Sequence, residues 1–320
     1  MTIRFAQIEP TTRCNFTCGF CTGRKMSQGD LSLDSFRRIL ELHPQLEHIE
    51  LQGEGEPLLN KNFVQMLELA RERNIRVSLI TNGSLLTTEM IDAILRLEVM
   101  SIHCSMESAE PRMFREIRGG KLEKVRKGLM LLVKERNKRG LKFPTIGLAV
   151  TVLRKTVDAM PGMIELYGEM GLDAGIFVQP LQKMAVYTRA YDEDMKRQLL
   201  SHEDLHAYNN TLRGMDGLQS ILRNKKNISS FYRALGKSIQ PGESGCPWLL
   251  HGTYINYAGD VMPCCTIKDT TLSGLGHIRN TPLSKLDEGR RKMNQQIVEG
   301  AIPMACEGCG IANKFQRKKT

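Results

Sequence analysis

Three cysteines crowd into the run CNFTCGFC near the start of the chain: Cys14, Cys18 and Cys21, spaced C-x3-C-x2-C. Thiolates are soft ligands, suited to zinc and to iron–sulfur clusters. A structural zinc site takes four ligands. Three thiolates bind three irons of a [4Fe–4S] cube and leave the fourth iron open to another ligand. The spacing therefore points to a cluster with one open position. The plainer alternatives are a zinc knuckle completed from far away, or three buried cysteines. A second set lies at the other end of the chain. Cys246, Gly259 and Cys264 read C-x12-G-x4-C, and Cys306 and Cys309 read C-x2-C. Two cysteines fall outside these sets. Cys265 follows Cys264, so on an extended strand it points to the other face. Cys104 precedes Ser105; if Ser105 faces the interior of a barrel, Cys104 faces its helices. Each of the two is either a packing residue or a thiol able to return a hydrogen atom. His103 alternates with Ser105 and can face inward, as a buried hydrogen-bonded histidine or as a group that orients substrate or accepts a proton.

Positioning these groups is the task of alternating strand and helix patterns. Short apolar runs at 3–9, 48–53, 77–82, 100–105, 146–152 and 175–180 read as strands. Amphipathic stretches at 33–43, 63–73, 88–98, 122–136 and 158–170 separate them, with Ser32 and Thr87 at N-cap-like places. Strand-then-helix repeats imply a parallel sheet clothed in helices. Six units are too few for a closed eight-stranded barrel, so an open, partial (β/α)6 TIM-like barrel is expected over 1–182. The cysteine loop follows the first strand, at the carboxyl end where such barrels do chemistry. Residues 183–240 read as a polar helical bridge and 241–320 as a cysteine-rich domain with short strands such as GTYINYA.

Composition bounds the rest. The chain has 320 residues, 41% of them hydrophobic and 25% charged, an ordinary globular balance. No apolar run approaches the length of a membrane span, and the start lacks a signal-peptide core. The expected compartment is the cytoplasm, where nine cysteines serve as ligands or catalytic groups rather than disulfides. The formal charge of +10 favours acidic partners. The basic runs at 223–227 and 317–320 are short, however, and no aromatic-interleaved basic stripe occurs, which argues against a nucleic-acid partner.

The C-x3-C-x2-C motif, with Phe20 before its last cysteine, resembles the signature of the radical SAM family. That resemblance implies that S-adenosylmethionine chelates the open iron. An electron then cleaves it to a 5′-deoxyadenosyl radical, which removes a hydrogen from an unactivated carbon. An electron donor such as flavodoxin or ferredoxin is implied. GEGEP at 53–57 is similar to the family's GGEP-type turn, in which Gly55 and Glu56 would hold the methionine amino group; Glu54 stands where a second glycine is often found. TNG at 81–83 puts Asn82 at the pocket. SMES and the following RGG resemble a family stretch that would set Ser105 and Glu107 near the methionine and Arg118 before its carboxylate. Gln179 is a candidate for substrate or adenine contact. The second cysteine set resembles the SPASM extension. With no cysteine after Cys309, it matches the shortened twitch form, which holds one auxiliary [4Fe–4S] cluster through Cys246, Cys264, Cys306 and Cys309. A zinc ribbon is the alternative. Two clusters and S-adenosylmethionine are thus the expected cofactors.

Three fates await a substrate radical: oxidation through the auxiliary cluster, hydrogen return from a thiol, or attack on a neighbouring group. The chain begins only a few residues before its first motif, which suggests no room for a leader-binding module. The expectation is therefore epimerisation or dehydrogenation of a small sugar- or cyclitol-like metabolite. Phosphorylated or nucleotide-linked sugars suit the basic balance. The alternative is maturation of a ribosomally made peptide by epimerisation or crosslinking.

Overall fold

The computed structural model describes residues 2–213, 230–267 and 270–316. The six expected strands all form: β1 Phe5–Ile8, β2 His48–Leu51, β3 Arg76–Thr81, β4 Ser101–Ser105, β5 Thr145–Val152 and β6 Ile176–Pro180. They pair side by side and all parallel. Parallel neighbours need a crossover between them, and helices supply it: α1 Leu33–Leu42, α2 Phe63–Glu72, α3 Thr88–Arg96, α4 Pro111–Arg118 with α5 Leu122–Lys138, and α6 Met160–Glu169. Phe36, Ile39 and Leu40 of α1, with His43 just beyond it, are buried, as their spacing requires. Ser32 and Thr87 do cap their helices, accepting from the N–H of Ser35 and Met90. α4 is an addition to the expected order. Pro111 opens it and Glu110 caps it, and Gly119 closes it at φ +73°.

Strand alternation divides the sheet. Ala6 and Ile8 join the apolar core beneath the helices, while Gln7 and Glu9 face the other side. There a polar ladder crosses three strands. His48 Nε2 lies 2.7 Å from Ser78 Oγ, and Ser101 donates to Ser78 at 2.9 Å.

The C-terminal residues do not build a separate sheet. β7 Gly252–Ile255, within the expected GTYINYA strand, pairs parallel to β1 on the edge opposite β2. β8 Asp260–Met262 and β9 Gly276–His277 then continue antiparallel. The strand order is β6-β5-β4-β3-β2-β1-β7-β8-β9. The described parts of the expected bridge are helical at Ala185–Thr188, Glu193–Lys196, His202–Arg213 and Ser230–Gly236. The basic runs at 223–227 and 317–320 lie outside the described residues. Among the described residues no helix is long and apolar enough to cross a membrane.

Candidate active site

The C-x3-C-x2-C loop leaves the carboxyl end of β1 and is held on two sides. The end of α4 takes one side, where Thr17 N–H donates to Arg118 O at 2.9 Å. A Cβ on Gly119 would stand 2.0 Å from Thr17 Oγ1, and one on Gly120 2.2 Å from the Phe16 ring. These glycines permit the loop to seat against α4. The GEGEP turn takes the other side. A Cβ on Gly55 would lie 2.4 Å from Thr11 O and 2.5 Å from Arg13 O. Glu56 N–H donates to Arg13 O at 2.8 Å.

Loop, turn and strand ends enclose a cavity of about 250 Å³. Its lining includes Cys14, Cys18, Cys21, Phe20, Gly55, Glu56, Asn82, Ser105, Arg118 and Gln179. Each of these was expected at the site from sequence. Glu56 is buried and anchors the cavity wall: its carboxylate accepts from Thr81 Oγ1 at 2.6 Å, Asn82 N–H at 2.7 Å and Leu58 N–H at 3.2 Å. Burial raises its pKa while these donors oppose the rise. Asn82 Nδ2 donates to Asn15 Oδ1 at 2.8 Å and approaches Cys14 Sγ at 3.8 Å.

Glu107 departs from expectation. It does not line the cavity; it is buried against Arg118, accepting from its Nε and, at 2.6 Å, from its Nη2. Arg118 alone reaches the cavity, stacked 5.7 Å from the Phe20 ring centroid, with Nη1 3.7 Å from Cys18 Sγ. Burial by itself would lower the Arg118 pKa; the Glu107 carboxylate beside it more than offsets this and holds the guanidinium charged. Cys104 and His103 also stay outside. Cys104 is fully buried in the helix-side core, and burial pushes its thiol up to about 12. His103 faces inward as expected but lies away from the lining, beside Gly147, and burial lowers its pKa to about 4, so it is neutral.

Several lining residues carried no sequence signal. Tyr232, on the helix Ser230–Gly236, donates to Gln7 Oε1 at 2.7 Å, lies 3.0 Å from Gln52 Oε1 and stacks on Phe177 of β6. It thus joins β1, β2 and β6. Gln7 was discoverable by alternation with Glu9; the partner helix was not. Glu54 accepts from Thr22 Oγ1 at 2.7 Å and Gly23 N–H at 3.2 Å, fixing the chain just after Cys21.

The second cysteine set closes around a cavity of about 100 Å³ lined by Cys246, Cys264, Cys306 and Cys309. Cys265 instead turns into the first cavity; the extended strand expected here ends at Met262, and Cys264 and Cys265 part in the turn closed by Ile267 N–H on Cys264 O at 3.3 Å. Four thiols around one small space are a donor set that a cluster or a structural zinc could each use. Burial pushes Cys18 up to about 11 despite Arg118 beside it, and Cys21 up to about 12 with the Glu54 carboxylate adding to the push. It likewise takes Cys246 and Cys306 up to about 12. Such thiols become thiolates only beside strong local positive charge, which cluster irons provide.

An α/β sheet with a three-cysteine loop at its carboxyl end, open to a polar cavity, fits the class of enzymes that hold an iron–sulfur cluster with one iron left open. The chain belongs to the Radical SAM superfamily, whose model matches residues 8–166, and an iron–sulfur cluster-binding SPASM domain matches residues 246–310. The chain is 29% identical over 202 residues to the tungsten-containing aldehyde ferredoxin oxidoreductase cofactor-modifying protein of Pyrococcus furiosus, covering 59% of this chain and 56% of that protein. It is 26% identical over 208 residues to a probable GTP 3′,8-cyclase of Methanopyrus kandleri, covering 63% and 64%. The chain thus spans between about half and two thirds of the length of these relatives. Its fold matches Streptococcus suis SuiB bound to precursor peptide SuiA with TM-score 0.69 and 15% identity, over 98% of this chain and 73% of that one. It matches anSMEcpe with bound AdoMet and Cp18Cys peptide with TM-score 0.68 and 19% identity, over 91% and 83%.

Proposed function

We propose that this radical SAM enzyme acts on a peptide and inverts a carbon centre in it, with Cys265 returning the hydrogen. The observation that carries this reading is that the Cys265 thiol lines the same cavity as Cys14, Cys18 and Cys21, while Cys264 turns into the other. Cys14, Cys18 and Cys21 would hold the first cluster. Phe20, Gly55, Glu56, Asn82, Ser105, Arg118 and Gln179 would shape the S-adenosylmethionine and substrate space around it. Cys246, Cys264, Cys306 and Cys309 would hold a second, fully ligated cluster.

The wall chemistry favours a peptide over the sugar- or cyclitol-like metabolite that the sequence suggests. Arg118 is the only Lys or Arg among the described residues lining the cavity, and Glu107 already pairs with it. A phosphorylated or nucleotide-linked sugar would meet no spare cation there. Gln179 and Gln182 instead present side-chain amides, whose donors and acceptors match those of a peptide backbone, while Gln7 and Gln52 are engaged by Tyr232. The peptide-bound relatives of similar fold lend support.

When bound, the first cluster and S-adenosylmethionine supply hydrogen-atom abstraction after uptake of one electron. Cys265 then gives its hydrogen to the substrate carbon: the S–H bond breaks and the new C–H bond forms. The thiyl left on Cys265 takes up one electron and one proton to restore the thiol. A flavodoxin- or ferredoxin-type donor would supply the electrons, those for Cys265 by way of the second cluster. The test uses reconstituted enzyme in deuterated buffer with peptides encoded beside its gene. Wild type should place one solvent deuterium at the inverted carbon, and Cys265→Ala should place none. A product poorer by two hydrogens would favour dehydrogenation instead. Deuterium from Cys265→Ala at the wild-type level would remove Cys265 from the mechanism.

A further inference from the structure

The wall between the two cavities is the run Cys264, Cys265, Thr266, and Thr266 lines both. The smaller cavity is otherwise apolar. Besides the four cysteines and Trp248, Thr266 is the only residue with a polar side chain among the described residues lining it. Its Oγ1 lies 3.0 Å from Cys264 Sγ. A bare thiol and a hydroxyl can each donate in that pair. A thiolate bound to iron has no proton, so the hydroxyl must then be the donor. Burial raises the Cys264 pKa, and the Thr266 hydroxyl, Thr266 N–H and Ile267 N–H all pull it back.

We propose that Thr266 is a positioning residue for the second cluster, its hydroxyl donating to the Cys264 sulfur and thereby raising that cluster's reduction potential. This rests on reading Cys246, Cys264, Cys306 and Cys309 as cluster ligands. The physical reason is charge. Reduction adds an electron to the cluster, and a hydrogen-bond donor at a ligating sulfur stabilises the added charge. In an apolar pocket such a donor acts in a low dielectric, beside the backbone N–H groups of Thr266 and Ile267 that approach the same sulfur. Thr266 would act on the second cluster through the Cys264 sulfur, so its effect is read in that cluster's potential.

The experiment is a redox titration of the reconstituted holoenzyme followed by electron paramagnetic resonance, on wild type, Thr266→Val and Thr266→Ser. One hydrogen bond of ordinary net strength corresponds to about a fivefold change in the reduction equilibrium. At 59 mV per tenfold for one electron, that is about 40 mV. Thr266→Val should lower the second cluster's potential by about that amount and leave the first cluster's unchanged. Thr266→Ser, which keeps the hydroxyl, should restore it. An unchanged potential in Thr266→Val overturns the proposal, as does an equal shift of both clusters or a failure of serine to restore the value. Iron analysis separates this from the underlying reading. Two clusters require about eight irons per chain, and about four in wild type would sink the second cluster itself.

Discussion

Arg118 stays charged inside the protein because Glu107 accepts two of its N–H groups. The pair is almost wholly buried, with side-chain exposures of 8% and 1%. Replacing Arg118 by Met would keep much of the volume and strand the Glu107 carboxylate without its partner. Breaking a buried pair from one side costs about 3–5 kcal/mol. Urea unfolding of the apoprotein should show a loss of that order for Arg118→Met and a much smaller one for Arg118→Met combined with Glu107→Leu. The two residues also show how far single residues were legible. Their resemblance to a family stretch put both near the site, and Arg118 does reach the cavity. Nothing in the sequence said that Glu107 is spent on holding Arg118 rather than a ligand. That depends on two side chains eleven positions apart meeting from opposite ends of α4. Alternation turns His103 inward and Cys104 toward the helices, and Cys104 is a candidate only for its thiol. Alternation fixes which face a side chain takes, not how far up the strand the cavity reaches.

At the scale of elements, the cysteine loop owes its shape to glycines that let backbones touch. The Gly55 contacts at 2.4 and 2.5 Å are with carbonyl oxygens of residues 11 and 13. Backbone cannot swing aside as a side-chain tip can. Gly55→Ala should therefore push the turn off the loop. The expected result is an apoprotein that still folds, with α/β circular dichroism retained, but takes up fewer irons per chain on reconstitution than wild type. Full loading of the variant would mean that the turn does not set the loop. Strands and crossover helices were legible because periodicity and caps are local signals. α4 occupies residues that also carry the motif ending in Arg118, and its local start signal is Glu110 followed by Pro111. The seating of Gly119 and Gly120 on Thr17 and Phe16 joins residues a hundred positions apart, and no local pattern carries such a contact.

Across the whole molecule, the decisive feature is that β7 extends the sheet beside β1. This brings the C-terminal cysteines against the first cavity, so that Cys264 and Cys265 can face different chambers across one short wall. The sequence pattern announced two cysteine sets, and expected Cys264 and Cys265 to part on an extended strand where the chain in fact turns. It did not say that one sheet runs through both, because strand order is set by pairing between distant segments. The helix Ser230–Gly236 is similar: Tyr232 completes the cavity from a region that read only as a polar bridge. On the function proposed above, Cys14, Cys18 and Cys21 would start the radical, and Cys265, on the wall that the two cavities share, would settle its fate. The most direct measurement is 5′-deoxyadenosine formed from S-adenosylmethionine under dithionite, with wild type, Cys18→Ala and Cys265→Ala reconstituted side by side. Wild type and Cys265→Ala should form it at similar rates, and Cys18→Ala should form none. Its formation by Cys18→Ala, or its loss in Cys265→Ala, would contradict the account.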